Sequence, residues 1–219
     1  MNRLGVEFFD RPCEIVAKSL LGKLLVREMK LGNDKEIFAG KIVEVEAYLG
    51  VEDKAAHSYQ GRRTDRNEAM FMEPGTAYVY NIYGMYQCVN ISTGGEGAAV
   101  LLRAACPLLN VEAIQKLRLN NSRKRSSNAT TIKTVDLCNG PSKLCQAFGI
   151  TKQKFNKVNL CKSDELYFAD SITPGESFEI LSSPRIGIDY AEEWSQKPLR
   201  FYVKESPFVS RVKKFKVSP

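Results

Sequence analysis

The chain has 219 residues, of which 43% are hydrophobic, and its 32 basic and 25 acidic residues give a formal net charge of +7. This length predicts one domain with its own apolar core, and we expect residues 1–219 to form a single unit. No apolar run approaches the length of a membrane span, and the N-terminal residues lack the pattern of a secretory signal, so we expect neither a membrane protein nor a secreted one.

Six cysteines are scattered along the chain, and no two of them are spaced as Cys-x-x-Cys. Without a secretory signal, this scatter predicts reduced thiols in an intracellular protein. The same spacing disfavours a structural zinc site, and the single histidine, His57, cannot build a catalytic metal centre. We therefore expect no metal ion.

Positive charge is concentrated in two segments of the chain. Residues 116–134 contain six basic residues and no acidic one, and residues 195–219 contain seven basic residues and one acidic one. Concentrated positive charge is typical of proteins that bind polyanions. The alternative is a mobile, solvated loop at about 120–131 and a solubilising basic tail at about 211–219.

The first third of the chain predicts a helix followed by two strands. Pro12 predicts the start of the helix and Gly22 its end. The apolar residues expected on the buried side of this helix are Ile15, Val16, Leu20 and Leu21. Alternating apolar residues predict strands at about 23–29 and 38–48, and a polar, arginine-rich loop follows at about 52–68.

Four of the nine tyrosines lie within nine residues, in the run AYVYNIYGMY. Strands at about 76–82 and 87–92, joined by a tight turn, predict a β-hairpin here. Alternation places Tyr78 and Tyr80 on one face of the first strand, whereas Tyr83 stands at the tip. A large aromatic side chain at a hairpin tip, in a basic chain, favours insertion between stacked bases.

The second half of the chain mixes strands and helices. An apolar strand is predicted at 98–105, a helix near 109–119 and a second helix within 139–149. The first residues of that second helix, with Ser142 and Lys143, are a candidate phosphate clamp. Three further short strands are predicted at about 177–181, 184–189 and 199–204. Together these elements predict a mixed α+β domain.

Two acidic residues and one arginine are candidates for chemistry. Glu46 and Tyr48 lie two residues apart in a predicted strand, so their side chains share one face, and Glu44 shares it too. Arg103 is the lone charge in an apolar strand. Taken singly, these residues are explained by a surface carboxylate and its ion-pair partner, and His57 by a hydrogen-bonded structural histidine. Spacing alone does not choose between Glu44 and Glu46.

The combination of these residues favours a pocket for a base that has left the DNA stack. Several tyrosines supply ring faces for stacking, a histidine and an arginine supply polar edges, and a carboxylate can activate water. A zinc nucleobase deaminase would need the motifs H-x-E and P-C-x-x-C, which this sequence lacks. A protein that only binds nucleic acid explains the tyrosines and the charge, but it has no use for Glu46 together with Arg103.

Six stretches of the chain are long, rich in uncommon residues and ordered: IVEVEAYLGVEDKAAHS, RNEAMFMEPGTAYVYNIYGMY, CVNIS, AVLLRA, GPSKLCQA and EWSQKPLRFYV. From about Gly5 to Val209, the chain resembles the alkyladenine (3-methyladenine) DNA glycosylase family. The resemblance implies a base-excision repair enzyme that needs neither metal nor cofactor. It is expected to be monofunctional, since no lysine matches a nucleophile position. The implied fold is a compact α+β domain with a curved, mostly antiparallel sheet, surrounding helices and a protruding hairpin that enters DNA.

The resemblance also implies the substrates, the partner and the compartment. The partner is double-stranded DNA that contains 3-methyladenine, 7-methylguanine, hypoxanthine or ethenoadenine, and removal of the base leaves an abasic site. Cationic alkylated purines stack well on tyrosines and depart readily, whereas hypoxanthine needs a proton as it leaves. We expect a monomer that acts in the nucleus or, alternatively, in a bacterial cytoplasm, without a membrane.

The resemblance assigns the chemistry to two charged residues and their surroundings. Glu46 matches the family's general base, which activates the attacking water. Arg103 matches the arginine that holds this water, together with a main-chain carbonyl near Ile186. Tyr48 and Tyr80 match the stacking walls of the base pocket.

Further positions match residues that select the base and open the duplex. His57 is expected to pack against the base, and Asn90 to crowd the exocyclic amino group of guanine. Leu101 is expected to line the pocket. Tyr83 matches the residue that enters the duplex through the minor groove, and Met85 is expected to intercalate beside it.

The remaining site residues are expected to contact DNA phosphates. They are Arg62, Ser142 and Lys143. Three positions depart from the family's pattern, and one of them is Gln87, which stands where an apolar residue is usual. Asn81 replaces an apolar residue, but alternation points it away from the pocket. Asp65 replaces a proline in the arginine-rich loop and is expected to weaken DNA affinity slightly.

Overall fold

The structure is a computed structural model that describes residues 2–31, 34–121, 131–171 and 175–210. The predicted basic tail at 211–219 lies outside the described residues, as does most of the predicted basic loop, residues 122–130. Among the helices of the described ranges, none is long and apolar enough to cross a membrane.

Helices and strands alternate along the described residues. The α-helices are α1 (Val6–Phe9), α2 (Cys13–Leu20), α3 (Val111–Asn120), α4 (Pro141–Ala147) and α5 (Lys152–Phe155). The strands are β1 (Leu24–Leu31), β2 (Asp34–Tyr48), β3 (Ala77–Ile82), β4 (Tyr86–Ser92), β5 (Ala99–Leu109), β6 (Leu166–Ala169), β7 (Ile180–Ser183) and β8 (Arg200–Val203). Short 3-10 helices lie at Tyr59–Gly61, Glu68–Phe71, Thr134–Asp136 and Glu192–Gln196.

The strands form one antiparallel sheet in the order β3-β4-β5-β2-β1-β6. The long strand β2 is its centre, because β1 pairs along its first half and β5 along its second half. Strand β8 pairs with β2 at Glu44–Glu46 and also with β7. The predicted α+β class with a mostly antiparallel sheet is confirmed.

The main apolar core lies between the sheet and the helices. Helix α2 packs on β2 and β5, and α4 packs on β4 and β5. The predicted buried side of α2 is wrong at Ile15, which is 49% exposed. The residues that α2 buries are instead Cys13, Val16, Ala17 and Leu20. Because these are spaced by three, one and three residues, they follow one face of a helix more closely than the predicted set does.

The predicted strands near the C-terminus are partly wrong. Residues 184–189 form an irregular loop instead of a strand, and the strand predicted at 177–181 covers only the beginning of β7. Strand β6 was not predicted, because it has four residues and follows the polar run KSDE, so its pattern is short. The loop at 184–189 matters for the site, since it brings Arg185 and Ile186 against the end of β2.

Candidate active site

A register shift in the sheet places charged residues on the face opposite the main core. The pairing of β2 with β5 shifts between Ile42 and Glu44 and again between Glu44 and Val45. Ile42 and Val45 therefore both enter the main core, although they are three residues apart. Bulges of this kind turn side chains to the other face of a strand. Here the shift brings Glu44 and Arg103 together across the two strands, with 2.8 Å between Arg103 Nε and Glu44 Oε1.

The Glu46 carboxylate is fully buried and held by three polar groups. The Tyr48 hydroxyl donates to Oε2 at 3.0 Å, and the Ile186 amide donates to Oε1 at 2.8 Å. An Arg103 guanidinium nitrogen lies 3.1 Å from Oε1. A carboxylate has about four acceptor positions. Its contacts within the described part of the chain thus leave room on Oε2 for one further donor, such as water.

Glu44 occupies a different environment from Glu46, although the two residues share a strand face. Its Oε1 accepts from the Nε atoms of Arg103 and Arg200 at 2.8 and 2.7 Å. The Ser210 hydroxyl donates to the same oxygen at 2.9 Å, and the Ser210 amide donates to Oε2 at 2.5 Å. This carboxylate is fully buried and surrounded by donors, so it is a structural anchor that fixes Arg103.

The charge of Arg103 is maintained by these two carboxylates. Burial works against the charged form, but Glu46 and Glu44 outweigh it and hold the pKa of Arg103 above its usual value. Burial, together with the charge of Glu46, raises the pKa of Tyr48 well above its usual value. Tyr48 therefore keeps its proton and remains a hydrogen-bond donor to Glu46 at neutral pH.

A cavity of about 670 Å³ lies next to these residues. It is lined by ten of the residues singled out from the sequence: Tyr48, His57, Tyr80, Tyr83, Asn90, Leu101, Arg103, Ser142, Lys143 and Ile186. Glu46 lies directly behind this lining, in contact with Tyr48, Arg103 and Ile186. Met85 and Arg62 are outside the lining, with Met85 half exposed in the hairpin turn and Arg62 exposed in the arginine-rich loop.

Aromatic rings form one wall of the cavity. Tyr78 and Tyr80 are stacked, with ring centroids 5.1 Å apart, as their shared strand face predicts. The rings of His57 and Tyr80 form a T-shaped pair, with centroids 4.9 Å apart, and His57 Nδ1 lies 2.8 Å from the Tyr78 hydroxyl. Burial raises the pKa of Tyr78 to about 12. Tyr78 was not predicted as a site residue, although the stripe that it shares with Tyr80 could have indicated it.

His57 is uncharged at neutral pH. Burial, together with the smaller effects of the nearby Arg66 and Arg62 charges, lowers its pKa from 6.5 to about 4. The cavity wall therefore presents a neutral imidazole. Within the described ranges, no three His, Cys, Asp or Glu side chains gather to hold a metal ion.

Lowering the pH is expected to destabilise the protein through His57. Because its pKa drops on folding from 6.5 to about 4, the unfolded chain takes up this proton first as the pH falls. The stability is complete above about pH 6.5 and declines down to about pH 4, with a loss of about 2 kcal/mol at pH 5. Urea unfolding at about pH 7.5 and about pH 5 measures the loss. His57→Gln should lose about 2 kcal/mol less than the wild type between these conditions, and equal losses would contradict the assignment.

The hairpin tip holds an aromatic residue in an unfavourable backbone conformation. Tyr83 is 89% exposed and has φ +51°, and the next residue, Gly84, has φ +70°. Positive φ at both central positions of a tight turn is common for Asn-Gly and costly for a bulky residue. Strain of this kind is often retained at functional sites. The strained position therefore favours a role in which the exposed Tyr83 ring contacts another molecule rather than packing within the protein.

A buried ion pair that the sequence did not predict stabilises the site. Arg185 forms two hydrogen bonds with Asp53, at 2.5 and 2.8 Å, and both side chains are fully buried. The Arg185 guanidinium also donates to the Ala47 carbonyl at 2.9 Å and lies 4.6 Å from the centre of the Tyr48 ring. Asp53 and Arg185 are 132 residues apart, so no local pattern connects them.

Two of the three predicted phosphate contacts, Ser142 and Lys143, line the cavity. Lys143 donates to the Asn139 side chain at 2.6 Å, and its ammonium is 3.9 Å from Asp136. Ser142 lies beside it in α4 and also lines the cavity. The ammonium would have to exchange these partners for a phosphate, so the contact with DNA stays a prediction.

Comparisons with known proteins identify the family of this chain. The family model for methylpurine-DNA glycosylase matches residues 7–207. The DNA-3-methyladenine glycosylase of Mus musculus is 50% identical over 96% of this chain, and the Homo sapiens protein of that name is 46% identical over 97%. A Clostridium botulinum protein that carries this enzyme name provisionally is 48% identical over 95% of the chain. The chain spans 62%, 69% and 98% of the lengths of these three relatives. The chain belongs to the methylpurine-DNA glycosylase family.

Proposed function

We propose that this protein is a monofunctional DNA glycosylase that removes alkylated or deaminated purines from double-stranded DNA. The observation that carries the proposal is the Glu46 carboxylate. It is buried and oriented by Tyr48, Ile186 and Arg103 immediately behind an aromatic cavity. Cleavage of an N-glycosidic bond needs a carboxylate close to the bound base and its sugar. The carboxylate accepts a proton from water and stabilises positive charge on the sugar.

The base reaches the cavity by leaving the duplex. Flipping a nucleotide costs a few kcal/mol, and the cost is smallest for damaged or mispaired bases. Tyr83 fills the space that the flipped nucleotide leaves in the stack, and Met85, 49% exposed in the same turn, enters beside it. Arg62, Ser142 and Lys143 contact phosphates next to the flipped nucleotide.

The flipped base stacks on Tyr48 and Tyr80 and meets the edge of His57. Glu46 activates a water at its free acceptor position, and Arg103 together with the main chain at Ile186 orients this water. Attack of the water at the sugar carbon breaks the glycosidic bond and releases the free base, so that an abasic site remains. Each residue in this sequence of events either lines the cavity or contacts one that does.

The proposed substrates include cationic and neutral purines. 3-Methyladenine and 7-methylguanine carry a positive charge, which improves stacking on tyrosine rings and departure of the base. Hypoxanthine and ethenoadenine are neutral, so each must take up a proton from the surrounding water as it departs. The enzyme is proposed to act as a monomer, in a nucleus or a bacterial cytoplasm, and its relatives come from mammals and bacteria.

Release of free base is the direct test of the proposal. The purified protein is incubated with duplexes that carry one hypoxanthine, one ethenoadenine or one 7-methylguanine, in the presence of a chelator. We expect release of free base and strand breaks only after alkali treatment. Breaks without alkali would indicate a glycosylase-lyase. Tight binding of lesion DNA without release from any duplex would favour a protein that only recognises damage.

Exclusion of undamaged guanine is expected to depend on Asn90. This residue is buried on β4 and lines the cavity next to its β5 partner, Leu101. Asn90→Ser shortens the side chain, so the exocyclic amino group of guanine gains space. We expect release of undamaged guanine to rise about tenfold, while release of ethenoadenine changes little. Unchanged release of guanine would contradict the role of Asn90.

A further inference from the structure

The buried ion pair between Asp53 and Arg185 lies directly behind a wall of the cavity. Tyr48 lines the cavity, whereas Arg185 has a fully buried side chain and lies 4.6 Å from the centre of the Tyr48 ring. The guanidinium therefore occupies the side of the ring that faces away from the cavity. It cannot shift along this ring, because Asp53 and the Ala47 carbonyl hold it by hydrogen bonds of 2.5 to 2.9 Å.

A base stacked on the free side of Tyr48 would be close to this charge. Stacked rings have centroids about 5 Å apart, so such a base would lie about 10 Å from the guanidinium. At this distance, in a partly buried site, one unit charge changes the affinity for another by about tenfold. The guanidinium also draws electron density from the Tyr48 ring, which weakens the attraction of the ring for a second cation.

The proposed substrates differ in charge, and the charges behind Tyr48 would attract or repel them differently. A 7-methylguanine is cationic, whereas ethenoadenine is neutral. Arg185 opposes a cation, and Asp53 offsets that effect with a negative charge that accepts two direct hydrogen bonds from the guanidinium. Among the described residues, the other buried charges around Glu46 also balance, since Glu44 and Glu46 face Arg103 and Arg200. The charge balance behind Tyr48 therefore depends on the Asp53–Arg185 pair.

We propose that the Asp53–Arg185 pair sets how this protein ranks cationic against neutral damaged bases. The inference rests on the proposed function, because it assumes that the base stacks on Tyr48. Both residues are positioning residues, since neither contacts the base. If the pair only stabilised the fold, removing either partner would change the release of both classes of base alike. If its charges act on the base, the direction of the change depends on which partner is removed.

The test removes each charge separately and compares two lesions. Arg185→Gln leaves Asp53 unbalanced, so release of 7-methylguanine relative to ethenoadenine should rise about tenfold. Asp53→Asn leaves Arg185 unbalanced, so the same ratio should fall about tenfold. Single-turnover rates are measured at subsaturating enzyme, where they report transition-state binding relative to free enzyme and DNA.

Two further variants separate charge from folding. Arg185→Lys keeps the charge, and the double variant Asp53→Asn/Arg185→Gln removes both charges. Each should hold the ratio within about twofold of the wild type, even where the absolute rates fall. Breaking a buried ion pair on one side is strongly destabilising. If one single variant does not fold, the other is compared with the double variant, which shares the lost salt bridge but not the unbalanced charge.

The outcomes distinguish this inference from the proposed function. Opposite shifts of the ratio in the two single variants support the inference. Shifts in the same direction, or an unchanged ratio in folded variants, overturn it while leaving the glycosylase activity established. Absence of release from every duplex by the wild type would instead overturn the proposed function.

Discussion

Replacing Glu46 by glutamine is expected to abolish base release while leaving lesion binding close to the wild-type level. The amide keeps the shape of the side chain, and its carbonyl oxygen can still accept the hydrogen bond from the Ile186 amide. Its NH2 group then takes the place of the oxygen that accepts from the Tyr48 hydroxyl. It cannot take a proton from water or stabilise positive charge on the sugar. We expect the single-turnover rate of release from an ethenoadenine duplex to fall about 10³-fold or more. Fluorescence anisotropy on the same duplex measures the binding.

Glu44→Gln is the matched control for this experiment, because Glu44 lies on the same strand face two residues away. Its carboxylate anchors Arg103, Arg200 and Ser210 and has no place in the proposed chemistry. We expect this variant to lose about 3 kcal/mol of unfolding free energy or more, because two arginines then share less negative charge. The folded fraction should still release base measurably. Release by Glu46→Gln within tenfold of the wild type would exclude the proposed role of Glu46.

The contrast between Glu44 and Glu46 shows what local patterns can and cannot predict. Alternation correctly placed both carboxylates and Tyr48 on one face of β2, because the side-chain period of a strand is a local property. It could not separate their roles. That separation depends on partners from distant elements, namely Ile186 for Glu46 and Arg200 for Glu44.

The tyrosine hairpin was predicted well for the same local reason. Strands β3 and β4 and the turn between them follow the predicted boundaries within one residue, and Tyr78 stacks on Tyr80 as their spacing indicated. The backbone conformation of Tyr83 was not predicted, since positive φ at a tyrosine contradicts its intrinsic preference. Such contradictions between a residue and its local structure are expected at functional positions.

Local sequence patterns could not predict the part of the site that residues 184–189 form. A short strand was predicted for this segment, but it forms an irregular loop in which Arg185 points inward to Asp53 and Ala47. An arginine that satisfies a buried carboxylate over 132 residues of sequence separation leaves no periodic signal. The resemblance to the family pointed to Ile186 alone, and its neighbour Arg185 became visible only through the geometry.

Replacing Tyr83 by asparagine is expected to stabilise the fold and to impair base flipping at the same time. Asparagine tolerates the positive φ of this position better than tyrosine does, so the unfolding free energy should rise by about 1 kcal/mol. The variant loses the ring that would fill the vacated stack, so the flipped fraction of a fluorescent base analogue should fall about tenfold. Nonspecific binding depends on phosphate contacts, and we expect its salt dependence to stay the same.

Asn81→Ala is the control on the same hairpin, because Asn81 is exposed and lies outside the cavity lining. It should leave both flipping and release within about twofold of the wild type. The decisive result for Tyr83→Asn is a rise in the unfolding free energy together with a fall in the flipped fraction, since damage to the fold would lower both quantities. If the variant is more stable and its flipped fraction equals that of the wild type, Tyr83 has a role other than base flipping. A variant that flips poorly despite its greater stability would mean that the strain at Tyr83 is kept for the DNA.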